Sequence, residues 1–113
     1  MRLLPKETYS IVEELLRAYK INAIPEETYK QALEEIITFF DVPTYRDFLE
    51  LFYFDRHNYL YRYPDNRSML NYIGEKLFIQ ENTYYQIRKE IVYKSAMIFY
   101  KYGLLRCREC IKN

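Results

Sequence analysis

Apolar side chains recur at helical spacing over most of the chain. After Pro5 they lie three and four residues apart and predict one face of a helix that runs to about Lys20. A second such stripe follows Pro25, and we expect Pro43 to end that helix. The first stripe consists of Val12, Leu15, Leu16 and Tyr19, and the second of Tyr29, Leu33, Ile36, Ile37 and Phe40.

A third helix is predicted from Thr44, because Thr44 with Asp47 three residues later resembles a capping box. Its apolar stripe is Tyr45, Phe48, Leu49 and Phe52. The segment that follows, "HNYLYRYPDNR", replaces the helical period by alternating aromatic residues and a Pro-Asp-Asn turn sequence. We therefore expect residues 57–67 to form a loop, with at most a short extended piece.

Two further helices with a short connection complete the pattern. Ser68 can cap a fourth helix that ends near Leu77, and Asn82 can cap a fifth that continues to about Tyr102, where Gly103 fits a C-terminal cap. This layout is typical of a helix-turn-helix. The sequence thus predicts one all-α domain over residues 1–113 with about five helices. It divides into a helical N-terminal part (1–56), the loop (57–67), a helix-turn-helix with a long recognition helix (68–103) and a tail (104–113).

Within residues 68–103 the pattern separates inward from outward side chains. Gly74 lies where the two helices are expected to cross and only a small side chain fits. The inward positions are Ile73, Leu77, Ile79, Tyr84 and Ile87, and the outward ones are Gln80, Glu81, Asn82, Tyr85, Gln86 and Lys89. The outward groups can hydrogen-bond to base edges or phosphates, which favours a recognition helix. The alternative is a solvated face on an ordinary helical bundle.

Charge is segregated along the chain despite a net charge of +1. Residues 1–57 carry 7 Lys and Arg against 11 Asp and Glu, whereas residues 58–113 carry 10 basic against 5 acidic side chains. An acidic half followed by a basic half is typical of a protein with one face for a polyanion. Ordinary scatter is the alternative interpretation.

The stretch "YIGEKLFIQENTYYQIRKEIVYKSAMIFYKYGLL" resembles the C-terminal helix-turn-helix of phage-encoded transcriptional regulators of the RinA and ArpU type. "FLELFYF" is similar to the helix that precedes that unit, and "LLPKETYSIVEELLRAYK" to the opening helix. The resemblance implies a fold like sigma factor region four. It also implies a phage or prophage regulator that binds duplex DNA near a late-gene promoter and activates transcription.

The same resemblance implies roles for individual residues. The recognition helix runs from Asn82 to about Tyr102, and base-edge contacts come from Gln80, Asn82, Tyr85 and Gln86. Phe78 departs from the family, which usually has glycine at this turn position, and a bulky residue resists a positive φ. Candidates for phosphate contacts, which would set the register on DNA, are Arg67, Lys76, Arg88, Lys89 and Lys94.

Catalytic or metal-binding chemistry is not indicated. The chain has a single histidine, His57, and only two glycines, so neither an acid-base constellation nor a glycine-rich phosphate loop is present. The "CREC" pair, Cys107 and Cys110, has the spacing of a redox or zinc motif but lacks a βαβ setting and a second ligand pair. Adjacent acids such as Glu13 and Glu14 are interpreted as solvated helix surface. We expect no enzyme, no cofactor and no metal.

Tyrosine is unusually frequent, with 14 residues and no tryptophan in the chain. Most tyrosines fall on or beside the helical stripes, where they serve as large core residues with the hydroxyl at the rim. Four lie around the predicted loop: Tyr53, Tyr59, Tyr61 and Tyr63. We expect these four to cover the core from the loop, the alternative being a surface for a partner.

The expected location is the cytoplasm of a bacterial host cell. The first residues, "MRLLPKETYS", do not resemble a secretory signal, and no apolar run approaches the roughly 18 residues that a membrane helix needs. Duplex DNA is the expected partner, with RNA polymerase and a second copy of the chain as further partners to test. Two other functions stay open: a protein-interaction module whose acidic half docks onto a partner, and a small terminase-like DNA packaging protein.

Overall fold

The described part of the protein is helical throughout. A computed structural model describes residues 4–18 and 26–105. The α-helices are α1 (Lys6–Arg17), α2 (Glu27–Phe39), α3 (Pro43–Phe48), α4 (Asn66–Leu77) and α5 (Glu81–Lys101), and the two π-helical segments are π1 (Leu49–Phe54) and π2 (Asn58–Arg62). These described ranges contain no strand. The predicted all-α class is therefore confirmed.

The core forms around α5, which packs against α1, α2 and α4. Its buried side chains include Tyr84, Ile87, Ile91, Val92, Ala96, Ile98 and Phe99. The predicted stripes of the other helices meet them: Val12 and Leu16 of α1, Leu33 and Ile36 of α2, and Ile73 of α4 are each almost fully buried. All of these residues belong to one apolar cluster. Burial of the stripes on a shared central helix is what holds the bundle together.

Helix boundaries differ from the prediction at several points. α1 ends at Arg17, and the expected continuation to Tyr19 and Lys20 lies outside the described residues. Pro43 does not merely end α2, which already stops at Phe39. It is the first residue of α3, where its fixed φ and missing N–H are tolerated. The predicted capping box at Thr44 is wrong, because the N-cap is Val42 and no side chain caps this helix.

Residues 57–67 are mostly helical, which corrects the predicted loop: only residues 63–65, between π2 and α4, are irregular. The backbone from Asn58 to Arg62 is π-helical, and the Tyr63 N–H donates to the Asn58 carbonyl at 2.7 Å. Asn58 is completely buried, and its side-chain amide donates to the Leu51 carbonyl at 3.0 Å. This internal hydrogen bond ties the segment to π1. A single asparagine that hydrogen-bonds to the backbone does not change the spacing of apolar residues. Hydrophobic spacing therefore could not predict this segment.

The four tyrosines around this segment have two different environments. Tyr53 is fully buried, and Tyr59 and Tyr63 are partly buried against the core. Tyr63 stacks on Tyr72 of α4 with ring centroids 4.2 Å apart. These three confirm the prediction that the segment covers the core. Tyr61 does not, because 68% of it is exposed.

The starts of α4 and α5 are each displaced from the predicted caps. α4 begins at Asn66, and its N-cap is Asp65, whose carboxylate accepts from the Ser68 N–H at 2.8 Å and from the Ser68 hydroxyl at 2.7 Å. Asp65 is thus the capping residue, and Ser68 donates to it from inside the helix. α5 begins at Glu81 after the N-cap Gln80, and neither Gln80 nor Asn82 provides a side-chain cap.

The turn between α4 and α5 consists of Phe78, Ile79 and Gln80. Phe78 adopts the left-handed conformation, with φ 57° and ψ 47°, although it is not glycine. The N–H groups of Phe78 and Ile79 both donate to the Gly74 carbonyl, as in a Schellman-type helix end. A Cβ added at Gly74 would lie 3.2 Å from the Ile79 carbonyl, so the need for a small residue comes from the turn.

The other end of α5 confirms the predicted glycine cap. Gly103 has φ 76°, its N–H donates to the Tyr100 carbonyl at 3.0 Å, and the Leu104 N–H donates to the Phe99 carbonyl at 2.8 Å. These two bonds are those of a Schellman motif. Both α4 and α5 therefore end at a left-handed residue, phenylalanine in α4 and glycine in α5, and in both the next N–H donates to the carbonyl five residues before it.

Candidate nucleic-acid interface

The first three turns of α5 present a polar face to solvent. Asn82, Tyr85, Gln86 and Lys89 are exposed; Tyr85 and Gln86 are adjacent, and each lies three or four residues from both Asn82 and Lys89. Side chains at these spacings lie on one side of a helix. Gln80, just before the helix, is exposed as well. The structure therefore brings together all four residues predicted to contact base edges, with one of the predicted phosphate contacts.

Hydrogen bonds orient two of these side chains. The Tyr85 hydroxyl accepts from the Asn66 side-chain amide at 2.8 Å, which links the outer face of α5 to the first residue of α4. The Gln86 side-chain NH₂ donates to the Glu90 carboxylate at 2.9 Å, one turn further along α5. Glu90 also accepts from the Tyr45 hydroxyl of α3, and this bond raises the pKa of Tyr45 to about 12. The Gln86 carboxamide oxygen takes no part in these bonds.

Among the described residues, no side chain caps the first backbone N–H groups of α5. Its N-cap, Gln80, makes no side-chain hydrogen bond to the first turn. A helix N-terminus without such a cap has N–H groups that point toward solvent or a bound anion, and the helix dipole favours negative charge there. Glu81 in the first turn already satisfies part of that preference.

The predicted phosphate contacts divide into different classes. Lys76 and Lys89 are exposed, and neither has an ion-pair partner within the described residues. Arg67 is exposed and makes a long ion pair of 3.5 Å with Glu81, which water weakens strongly. Lys94 lies over the Phe39 ring with its ammonium 4.3 Å from the ring centroid. Lys76 and Lys89 are thus the basic groups with the greatest freedom to meet a phosphate.

Arg88 must be removed from the phosphate candidates. Its Nε and Nη2 donate to the two carboxylate oxygens of Glu13 at 2.9 and 3.0 Å, a bidentate pair between α5 and α1. Only 20% of the Arg88 side chain and 7% of the Glu13 side chain are exposed. The guanidinium also stacks on Phe52, 4.9 Å from the ring centroid. Because its charge is met internally, Arg88 holds the bundle together instead of reaching a partner.

The Glu13 carboxylate is the centre of a buried polar network. Tyr53, which is fully buried, donates its hydroxyl to Glu13 at 2.7 Å. The Arg88 Nη1 donates to the Asn66 side-chain oxygen at 3.1 Å, which extends the network to α4. Glu13 had been interpreted as solvated surface, and that interpretation is wrong. Its position in the stripe one residue after Val12 and three before Leu16 was the available signal, although carboxylates are seldom buried.

The electrostatics of this network favour its charged form. Burial alone would lower the pKa of Arg88, but the hydrogen bonds and charge of Glu13 outweigh that effect and raise it. Burial, followed by the charge of Glu13, raises the pKa of Tyr53 well above its ordinary value and that of Tyr9 to about 12. The arginine therefore stays protonated and these phenols stay neutral at physiological pH.

A shallow cleft of about 300 Å³ lies beside the turn, between α4 and the start of α5. It is bordered by Gly74, Asn71 and Tyr84 and by two carboxylates, Glu75 and Glu81. These acidic groups repel phosphate on this side of the α5 N-terminus. An approaching nucleic acid would therefore be directed toward Asn82, Gln86 and Lys89 rather than toward the cleft.

The described ranges contain neither a metal-binding cluster nor a membrane-spanning helix. Residues 4–18 and 26–105 contain no cluster of three histidine, cysteine or acidic side chains that could hold a metal ion. No helix among these residues is long and apolar enough to cross a membrane. Cys107 and Cys110 lie outside the described residues.

Comparison with known proteins adds no relative to this picture. No family model matches the chain, and neither the curated proteins nor the solved structures include a match.

Proposed function

We propose that this protein is a sequence-specific, double-stranded DNA-binding transcriptional regulator that uses α4 and α5 as a helix-turn-helix. In the proposal α5 is the recognition helix and lies with its first turns in the major groove, while α4 crosses the backbone. The observation that carries the proposal is the exposed face of Asn82, Tyr85, Gln86 and Lys89 at the start of a rigidly packed helix.

Each residue of this face has a role that suits its chemistry. Asn82 and Gln86 each offer a paired donor and acceptor that matches the major-groove edge of adenine. Tyr85 would contact a thymine methyl or a phosphate, and Gln80 lies close enough to the same end to reach a neighbouring base. Lys89 and Lys76 would contact phosphates on either side and fix the register.

The buried network supports this arrangement by holding the helix in place. Arg88 is one residue from Lys89 and two from Gln86, and it is bound to Glu13 of α1 beside this face. Asn66 bonds to both Arg88 and Tyr85. A reading face with fixed supports loses less conformational entropy when it binds.

The resemblance to RinA- and ArpU-type regulators leads us to place the protein, within the same proposal, in a phage or prophage as a late-gene activator in a bacterial cytoplasm. Activation requires contact with RNA polymerase, and a dimer would double the length of DNA that is read. α1 and α2 are the parts of the chain left for these partners when α4 and α5 face DNA.

The deciding experiment is selection from a random duplex pool. Purified protein is incubated with the pool at near-physiological salt, the retained DNA is sequenced over several rounds, and the enriched sequences are aligned. A short enriched motif is expected, and two half-sites about one helical turn apart would identify a dimer. Absence of enrichment together with negligible binding at low salt would refute the proposal.

Variants then separate base reading from phosphate contact. Gln86→Ala should relax one position of the motif at a loss of about 1–3 kcal/mol in specific binding, whereas Lys89→Ala should weaken all sequences alike. Lys30→Ala, an exposed lysine on α2, is the matched control because α2 packs on the C-terminal half of α5 through Tyr29 and Phe99. With Lys76, Lys89 and Arg67 as phosphate contacts, the salt slope should be about −2 to −3 per protomer.

A protein-interaction module is the second candidate function, and one observation favours it. Phe78 is 95% exposed in the turn, and Glu75 and Glu81 border the cleft beside this turn. An exposed apolar ring near an acidic cleft suits a basic, apolar groove on another protein better than it suits DNA. If the duplex selection yields no motif, Phe78→Ala should be compared with the wild type in binding to RNA polymerase.

A further inference from the structure

A second cleft, of about 230 Å³, opens between the end of α1, π2 and the start of α4. The rings of Phe52, Tyr59 and Tyr63 form part of its lining beside polar groups such as Asn66, and two guanidinium groups, those of Arg17 and Arg88, also border it. The two arginines differ in how their charge is met. Arg88 is paired with Glu13 on both carboxylate oxygens.

Arg17 is the uncompensated cation of this cleft. Its guanidinium carbon lies 5.3 Å from the Phe52 ring centroid, 5.6 Å from that of Tyr53 and 5.3 Å from that of Tyr59. Within the described residues it has no carboxylate or hydrogen-bond acceptor, and its Nε is buried without a partner. The Tyr59 hydroxyl donates to the Arg17 carbonyl at 3.2 Å, which fixes the position of this ring beside the guanidinium.

The Arg17 side chain is half-buried against aromatic rings, and its buried Nε lacks the hydrogen bond that such a group normally makes. The rings fix the plane of the fork, so an incoming acceptor finds it already oriented. A carboxylate fits this fork with two parallel hydrogen bonds. The unsatisfied donor and the open cleft beside it thus indicate an anionic ligand.

Size and charge narrow the class of anion. A volume of about 230 Å³ corresponds to roughly eight water molecules at about 30 Å³ each, which suits a small ring with one acidic substituent. The aromatic walls favour a flat apolar body. Asp65 borders the cleft, and its carboxylate repels a dianion about twice as strongly as a monoanion, so a single negative charge is the better match to Arg17.

We infer that this cleft binds a small aromatic monocarboxylate, with the carboxylate on Arg17 and the ring between Phe52, Tyr59 and Tyr63. The site is separate from the face proposed to contact DNA. It is therefore tested without nucleic acid, and its failure leaves the DNA-binding proposal untouched.

The probe is sodium benzoate, titrated into ¹⁵N-labelled protein at constant ionic strength and followed by two-dimensional NMR. Saturable shifts are expected at the Arg17 side-chain N–H and at the backbone of Tyr59 and Tyr63. Benzyl alcohol, which keeps the ring but not the charge, should bind at least about tenfold more weakly. Inorganic phosphate tests the contribution of the ring, because it is an anion without an aromatic ring. Benzoate shifts that do not saturate, or phosphate binding as tight as benzoate binding, would overturn the inference.

Variants assign the binding to one side chain. Arg17→Met keeps an unbranched apolar side chain beside the rings and removes the fork, and it should abolish saturable benzoate binding. Arg46→Met, an exposed arginine on α3 paired with Asp41, is the matched control and should bind like the wild type. Arg17→Lys keeps a cation over the rings but loses the paired geometry, so it should fold and bind about tenfold more weakly. Unchanged benzoate affinity in Arg17→Lys and Arg17→Met would contradict the assignment.

Discussion

Phe78 provides the sharpest test of the backbone geometry between α4 and α5. It holds φ at 57° in a region where a Cβ is unfavourable, and its ring is 95% exposed. A change in stability on truncating this side chain therefore reports backbone strain, because very little packing contact is lost. We expect Phe78→Gly to stabilise the fold and Phe78→Ala to leave it nearly unchanged.

The magnitude follows from three terms. Burying a whole phenylalanine side chain contributes about 1.5–3 kcal/mol, so the buried twentieth of Phe78 contributes roughly 0.1 kcal/mol. Left-handed backbone costs a residue with a Cβ about 1–2 kcal/mol, and glycine escapes this cost. Glycine also raises the conformational entropy of the unfolded chain, which cancels about 0.4–1 kcal/mol of the relieved backbone strain. The net gain for Phe78→Gly is therefore between about 0 and 1.5 kcal/mol, with a central value of about 0.7 kcal/mol.

Urea denaturation followed by circular dichroism measures these differences. Phe78→Gly should unfold at higher urea with an unchanged m-value, and Phe78→Ala should lie within about 0.5 kcal/mol of the wild type. Gly103→Ala is the converse control, because φ is 76° there and a Cβ would meet nothing within 4 Å. It should lose about 1 kcal/mol through backbone strain alone. If Phe78→Gly is no more stable than Phe78→Ala, the left-handed turn is not the conformation in solution.

Three further predictions concern the buried network, a helix cap and an internal hydroxyl. Glu13→Ala should destabilise the protein by about 2–3 kcal/mol, and a double-mutant cycle with Arg88→Met in thermal unfolding should give a coupling of about 1–3 kcal/mol; independent, additive losses would contradict the ion pair. The Ser68 N–H and then its hydroxyl lower the pKa of Asp65 below 3.8, so the capping contribution is present above that pH and is lost as the pH falls through the folded value. Asp65→Ala should accordingly be less stable than the wild type at pH 7, with a difference in denaturation midpoint that narrows below about pH 4; a difference constant over that range would be incompatible with this cap. Ser95 is fully buried and its hydroxyl has no partner among the described residues, so Ser95→Ala should stabilise the protein by about 0.5–1 kcal/mol in the same urea assay, and a loss would reveal a hydrogen bond at that hydroxyl.

Hydrophobic period is sufficient to locate the five α-helices and their buried faces, but not the π-helical segment π2. Val12, Leu33, Ile73 and Ile91 are all close to fully buried, and the first three lay on predicted stripes. This success is expected because a helix that must bury one face has to repeat its apolar positions at that period. Predicted helix boundaries are less reliable, because a cap depends on one polar residue such as Asp65 and other residues able to cap lie within a few positions of it.

The parts that sequence could not predict are those fixed by single polar contacts between distant residues. Asn58 replaces a backbone partner for Leu51 and so converts an expected loop into a π-helical turn. Glu13 and Arg88 are 75 positions apart, and neither carries a local sign that it will meet the other. The outward face of α5 could be predicted because it depends only on helical spacing, whereas the removal of Arg88 from it depends on a tertiary contact.

The same contacts bear on the segregated charge of the chain. Glu13 of α1 binds Arg88, and Glu35 of α2 accepts from Lys101 and from the Tyr102 hydroxyl at 2.8 Å. In each case an acid of the first half meets a base of the second half across the bundle. Some of the acidic side chains of the first half and basic side chains of the second half therefore neutralise each other between the helices. These ion pairs orient α5 against α1 and α2. What this pairing leaves exposed near the α5 N-terminus is a short polar face with few cations. A face of this kind would depend more on hydrogen bonds to bases than on general attraction to phosphate, so specificity rather than bulk affinity is the property by which the proposed DNA binding should be judged.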